Sequence, residues 1–244
     1  MKKRLAELLF FLCCCSYLQG QDSRFSMYQH FGAYLNPAST GIDLKHNRET
    51  SFQAIYRNQW AAIPQAYQTY GAAFARRSTQ FAWGALLHQN QAGAASFRTT
   101  GGLLTTAFYK TLSASGSSLS VGMGAGFLQK RFDPATLAFE SQWDPFGGFD
   151  PDRSSQETFF QTSSSTLDLT AGMLWQILPK DNNRWRAAFG LSIAHLQLPK
   201  EQFFEQAATL PMRFSATAAL DIRVLDYLEI GPRGFYQQQS EFRE

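Results

Sequence analysis

Apolar and polar residues alternate along most of this chain with a period of two. From Met212 to Val224 the even positions read Met, Phe, Ala, Ala, Leu, Ile, Val, and the odd positions between them read Arg, Ser, Thr, Ala, Asp, Arg. Leu119–Phe127, Leu167–Ile177 and Trp185–His195 repeat the pattern. Successive side chains of a strand point to opposite faces, so each run predicts a strand with one apolar and one small or polar face. Further runs at about 49–60, 67–76, 80–89, 98–110 and 226–238 bring the expectation to nine strands, with a short tenth near 135–142. The strong runs are about 9–13 residues long, enough to cross bilayer hydrocarbon at a tilt. Strands of soluble domains usually stop at about five or six residues. Loops are expected at 144–165, 179–183 and 198–211, where Pro, Gly, Asn, Asp and Ser gather.

The face opposite the large apolar residues is often Gly, Ala, Ser or Thr, which suits a hydrated interior more than the interdigitated core of a sandwich. Bulky aromatics collect near run ends, at Trp60, Tyr109, Trp175, Trp185 and Tyr227, as the interface girdles of membrane barrels do. The expected fold is therefore all-β, an antiparallel transmembrane β-barrel of the outer membrane. Barrel strands must close on themselves. Many outer-membrane barrels end on an aromatic residue, whereas this chain stops at Glu244 just after a strand-like run, so the barrel is expected to be incomplete at the C-terminal end.

Residues 1–20 read as a secretory signal peptide. Lys2, Lys3 and Arg4 precede an apolar stretch from Leu5 to Cys15, and Gly20 offers the cleavage site. That stretch holds Cys13, Cys14 and Cys15, the only cysteines, so the mature chain carries no thiol chemistry. Without Lys2, Lys3, Arg4 and Glu7, 22 basic and 19 acidic residues become 19 and 18, and the net charge falls from +3 to +1. Nothing in that balance points to nucleic acid. Residues 21–48 form an irregular N-terminal segment, and 49–244 hold the barrel strands and loops. In the N-terminal segment Phe25, Tyr28, Phe31 and Tyr34 recur at three-residue spacing. That stripe is expected to fold into or against the periplasmic mouth of the barrel as a partial plug. The competing expectation is one more irregular strand at the barrel edge.

Little in the sequence supports chemistry. Gly122-Met123-Gly124-Ala125-Gly126 is a poor dinucleotide fingerprint, because no helix follows and the third glycine falls early. Asp144, Asp150 and Asp152 match no calcium-loop spacing. His30, His46, His88 and His195 are scattered, and His195, at the end of an apolar face, reads as an interfacial side chain. Arg57, Gln59, Arg186, Arg213, Asp221 and Arg223 could line a polar lumen. No catalytic residue, cofactor or metal site is expected.

Three segments carry a family resemblance. FSMYQHFGAYLNPASTG (Phe25–Gly41), followed by YRNQWAAIP (Tyr56–Pro64) and TYGAAF (Thr69–Phe74), resembles the PorP/SprF family. Asn90–Thr100, Lys130–Phe139 and Leu196–Pro199 follow the family layout in order. The resemblance implies a non-enzymatic outer-membrane barrel that serves type IX protein secretion as an accessory or docking component, linked in some bacteria to gliding motility or adhesin secretion. It also implies secretion components and secreted cargo as partners, beside outer-membrane lipid. The motif residues that become candidate interaction sites are Asn36, Pro37, Gly41, Tyr56, Arg57, Asn58, Gln59 and Trp60. A passive outer-membrane porin and a soluble periplasmic β-barrel binding protein are the alternative readings.

Overall fold

Hairpin by hairpin, the alternating runs become one antiparallel meander. The computed structural model describes residues 31–42, 49–62, 66–93, 96–112, 116–144, 146–159, 161–179, 184–203 and 208–239. Residues 1–20, read above as a signal peptide, together with Phe25, Tyr28, His30, His46 and the final residues 240–244, lie outside them. The strands are β1 (Thr50–Gln59), β2 (Tyr67–Arg77), β3 (Phe81–Ala92), β4 (Phe97–Thr111), β5 (Ser117–Arg131), β6 (Ser163–Ile177), β7 (Trp185–Ala194), β8 (Arg213–Leu225), β9 (Leu228–Ile230) and β10 (Arg233–Gln239). Each of β1 to β7 pairs with the next, and β9 and β10 both lie along β8. The run expected at 226–238 is thus split at Gly231-Pro232, where proline brings no N–H to a ladder. Strands β4, β5 and β6 reach 15 residues, longer than the sequence pattern predicts.

The short strand expected at 135–142 does not form. Two 3₁₀ turns stand there instead, Pro134–Thr136 and Glu140–Gln142. Asp133 caps the first by accepting the Ala135 N–H at 3.1 Å, and Pro134 fixes the φ that a turn needs. Trp143–Asp144 then pairs with Gly148–Phe149, and Lys200–Glu201 with Ala208–Thr209, as two small ladders.

The two ends of the sheet differ. At one end the connections are 78–80, 112–116, 178–184 and 226–227; at the other they include the long segments 132–162 and 195–212. The long segments pack on each other through Phe132, whose ring lies 5.2 Å from Phe159 and 5.7 Å from Phe203. An ion pair of 2.6 Å between Lys130 and Glu201 ties them to β5.

Among the described residues β1 and β10 do not pair with each other, so the sheet is open there. It is nevertheless strongly curved. The Tyr34 ring lies 5.0 Å from His88 on β3 and 4.8 Å from the Arg213 guanidinium on β8. Five strand spacings, about 24 Å, would separate β3 from β8 in a flat sheet, where their side chains would run parallel. One tyrosine can touch both only if the strands wrap around it.

Curvature separates two walls. The inner wall carries Gly, Ala, Ser and Thr with buried polar groups such as Thr105, Ser120, Thr170 and Asp221. The outer wall carries large apolar side chains that are exposed, among them Phe52, Trp83, Leu104, Met123, Trp175 and Phe214. That distribution is the reverse of a water-soluble domain, and an apolar surface this extensive marks contact with lipid or another protein.

Candidate functional site

The inner wall holds a guest from its own chain. Residues 31–42 do not pair as a strand of the sheet and lie against the concave face, near mid-height of β4 to β7. The segment opens with a short helix, α1 (Gly32–Leu35), and continues through Asn36 into a 3₁₀ turn at Pro37–Ser39. Asn36 is extended, with φ −146° and ψ 108°, as a residue before proline must be. Its side chain accepts the Ala38 N–H at 2.9 Å, capping the turn. The amide nitrogen donates to the Met173 carbonyl at 2.9 Å and the Leu191 carbonyl at 3.3 Å, so one residue ends the helix, starts the turn and fastens both to β6 and β7.

Three glycines make that approach sterically feasible. A Cβ at Gly122 on β5 would overlap the backbone of Pro37 and Ala38, and one at Gly172 on β6 would overlap the Asn36 side-chain oxygen. At Gly190 on β7 it would fall 2.8 Å from the Asn36 amide nitrogen. Hydroxyls around this floor complete the seat. Ser120 donates to the Ala38 carbonyl at 2.8 Å, Ser192 donates to the Leu35 carbonyl, and the Thr40 and Thr105 hydroxyls meet at 2.8 Å. The Tyr109 hydroxyl donates to the Thr40 carbonyl, while the Arg77 guanidinium sits 4.8 Å over the Tyr109 ring. Tyr109 is therefore an inner-wall residue, only 5% exposed, and not part of an interface girdle.

The upper half of the segment meets charged groups. Arg213 donates to the Tyr34 hydroxyl at 3.1 Å, and Phe31 is buried against Leu86 and Leu103. Beside them His195 Nδ1 lies 3.0 Å from Asp168. His195 is 2% exposed and faces inward, contrary to the interfacial position expected for it. The strand ends at Ala194, and a positive φ of 60° at His195 turns the side chain to the other wall. Lower down, Arg233 pairs with Asp221 at 2.6 Å and Arg186 with Glu229 at 2.9 Å.

The motif residues fall into two groups that the structure keeps apart. Asn36 and Pro37 sit on the glycine floor. Gly41, at φ +69°, makes the turn out of the seat where a Cβ would come within 3.1 Å of the Ala82 Cβ. Tyr56, Arg57, Asn58 and Gln59 finish β1, and Trp60 follows it at a positive φ of 60°. Trp60 meets Tyr67, the register partner of Gln59, edge-on at 5.2 Å, and Tyr56 packs on Tyr70 at 5.1 Å on the outer wall. Asn58 shares that wall, while Arg57 and Gln59 face inward and are half-buried. Pro64 lies outside the described residues.

Cavities flank the seated segment among the described residues. One, of about 130 Å³, lies toward β1–β4 between Phe31, Thr40, Gln53, Ala73 and Leu86. The other, of about 170 Å³, lies toward β6–β8 and β10 between Leu35, Asn36, Leu174, Thr217 and Arg233. Among the described residues no group of three or more His, Cys, Asp or Glu is placed to share a metal ion. The aspartates of the long connection are engaged in turns. Asp144 accepts the N–H groups of Phe146 and Gly147 at 2.9 and 3.1 Å. These two bonds, with Arg153 nearby, hold its carboxyl below the usual carboxylate range. Asp150 accepts the Asp152 N–H at 3.0 Å.

Sequence reasoning did not single out Thr105, Ser120, Gly172, Gly190 or Ser192. The available signal was the Gly122-x-Gly124-x-Gly126 spacing, which marks one strand face stripped of side chains. No curated protein and no solved structure matches the chain. A family model described as type IX secretion system membrane protein PorP/SprF matches residues 18–244. The chain belongs to that family.

Proposed function

We propose that this PorP/SprF chain is a non-enzymatic outer-membrane β-barrel, occupied by its own N-terminal segment, that serves type IX secretion as an accessory or docking component. Secretion machinery and secreted cargo are its proposed partners, with gliding motility or adhesin export as the processes it supports. The observation that carries this reading is the seat of residues 31–42. A segment capped by Asn36, bonded to β4–β7 and fitted over three glycines fills the space a passive porin would leave open. The wrapped sheet and its outward apolar wall support a membrane barrel. By the usual polarity of such barrels the short connections face the periplasm and the long ones the exterior. On that orientation 132–162 and 195–212, packed through Phe132, Phe159 and Phe203, form the external docking surface.

Deleting Ser23–Ala38 tests this. The shortened chain is expected to stay in the outer-membrane fraction, to show a steady conductance in planar bilayers that the full chain lacks, and to lose cargo secretion. Normal secretion by the deleted form would reduce the segment to packing. A steady open pore in the full chain would favour the porin.

A further inference from the structure

The outer wall carries one feature that neither lipid contact in general nor docking accounts for. Cross-strand registration places Gln91, Arg98, Arg131 and Ser163 side by side on β3, β4, β5 and β6. All four belong to the outward set, and Arg98 and Arg131 are direct partners, both exposed. Like charges directly opposite on a sheet face repel, and nearby hydrocarbon strengthens the repulsion. Arg98 donates to the Gln91 side chain at 3.3 Å, which leaves its charge uncompensated. Among the described residues neither arginine makes an ion pair.

Below the arginines the wall changes character in two steps. The next outward row is Gln89, Thr100, Gln129 and Ser165, with Gln129 donating to Ser165 at 3.1 Å. The row after that is Leu87, Gly102, Phe127 and Leu167. Gly102 lies beneath the Phe127 ring edge and a Leu87 methyl, giving a shallow apolar face directly beneath the cations. A paired cationic fork above neutral donors above an apolar face is complementary to a lipid that bears phosphate at its head. Guanidinium groups take phosphate oxygens in pairs, and one phosphate between two arginines removes the repulsion.

We infer that Arg98 and Arg131 hold the phosphate of a membrane lipid at the end of the barrel that carries the long connections, with its acyl chains along Leu87, Phe127 and Leu167. In the orientation proposed above this is the outer leaflet, and the fitting lipid is a phosphorylated glycolipid of the lipid A type. The inference rests on that membrane-barrel reading.

The test uses the full chain, purified in neutral detergent after its heat-modifiability has been established. Native mass spectrometry is then run with diphosphorylated lipid A, with phosphatidylcholine, and with inorganic phosphate as competitor. Lipid A is expected to remain bound and phosphatidylcholine to be lost. The paired variant R98Q/R131Q should weaken lipid A retention about tenfold or more, while R76Q/K110Q, which removes outward cations elsewhere, should not. Should the double variant fail to assemble, R98Q alone carries the same comparison. Equal retention in the two double variants overturns the site. Displacement of the lipid by inorganic phosphate at equal concentration identifies a free-anion site instead and also overturns it. A chain that is not heat-modifiable would sink the barrel reading first, so the two failures are separable.

Discussion

The two walls of this sheet are made by the same strands yet obey different rules. On β5, Gly122, Gly124 and Gly126 lie on the inner wall, with Gly122 directly under the seated segment, while Val121, Met123 and Phe127 face outward. Inside, position is everything: a methyl group at Gly122 meets backbone, and Tyr109, Ser120 and Ser192 each donate to a carbonyl of the segment. Outside, the side chains share only size and apolarity, with few specified partners. Volume is therefore the constraint on the inner wall and polarity the constraint on the outer one.

The largest break in that contrast should come from charge on the outer wall. Leu104→Arg is expected to cost about 2–4 kcal/mol if the position lies near the bilayer midplane, seen as loss of the heat-modifiable form in membrane fractions. Leu104→Ala, which only removes volume, should be nearly silent; an equal loss from both would show that the outer wall packs against protein. Next in size, Gly122→Val should overpack the seat by about 1–3 kcal/mol, relieved by expelling the segment. A cysteine placed at Ala38 should then react with maleimide at least tenfold faster. Val121→Ala, one residue away on the other wall, should leave the rate unchanged. Unchanged reactivity in Gly122→Val would mean the segment does not rest on the glycines.

A smaller effect separates the faces of β1. Tyr56→Ala should lower the folded yield more than Arg57→Ala, because the ring on Tyr70 belongs to the outer wall and the guanidinium to the inner one. Matching losses would erase the distinction at this end of the strand. The smallest effect lies outside both walls. The Asp144 carboxyl titrates below its ordinary value of 3.8, chiefly through the Phe146 and Gly147 N–H groups. The turn 144–147 is thus supported above that value and loses the support as pH falls through the lowered one. Amide exchange at Phe146 and Gly147 should quicken only in that acid range, and equal quickening in Asp144→Asn would remove the carboxylate from the explanation.

Alternation alone disclosed which side chains share a wall within a strand, as at Tyr56 against Arg57 and Gln59, but not at Trp60, where a positive φ of 60° ends the run. It did not disclose which wall faces a guest, so Tyr109 was placed with the outward aromatics although its hydroxyl serves Thr40. His195 escaped for a different reason: parity fails once a positive φ ends the strand. The 3₁₀ turns at 134–142 were hidden because a few apolar residues among Pro and Ser imitate a short strand. Membership of the PorP/SprF family was legible in Asn36-Pro37 and Tyr56–Trp60. The role of Asn36 as a fastener was not, since its carbonyl partners are distant in sequence.

That distance also sets a timetable. The partners of Asn36 lie 137 and 155 residues downstream, so a chain delivered from its N-terminus exposes this segment long before β6 and β7 exist to receive it. Long-range closure is slow in any sheet, and here the earliest residues to emerge are among the last to be fixed. Seating of Asn36 consequently reports that β5, β6 and β7 have arrived in register, which makes it a late checkpoint of assembly.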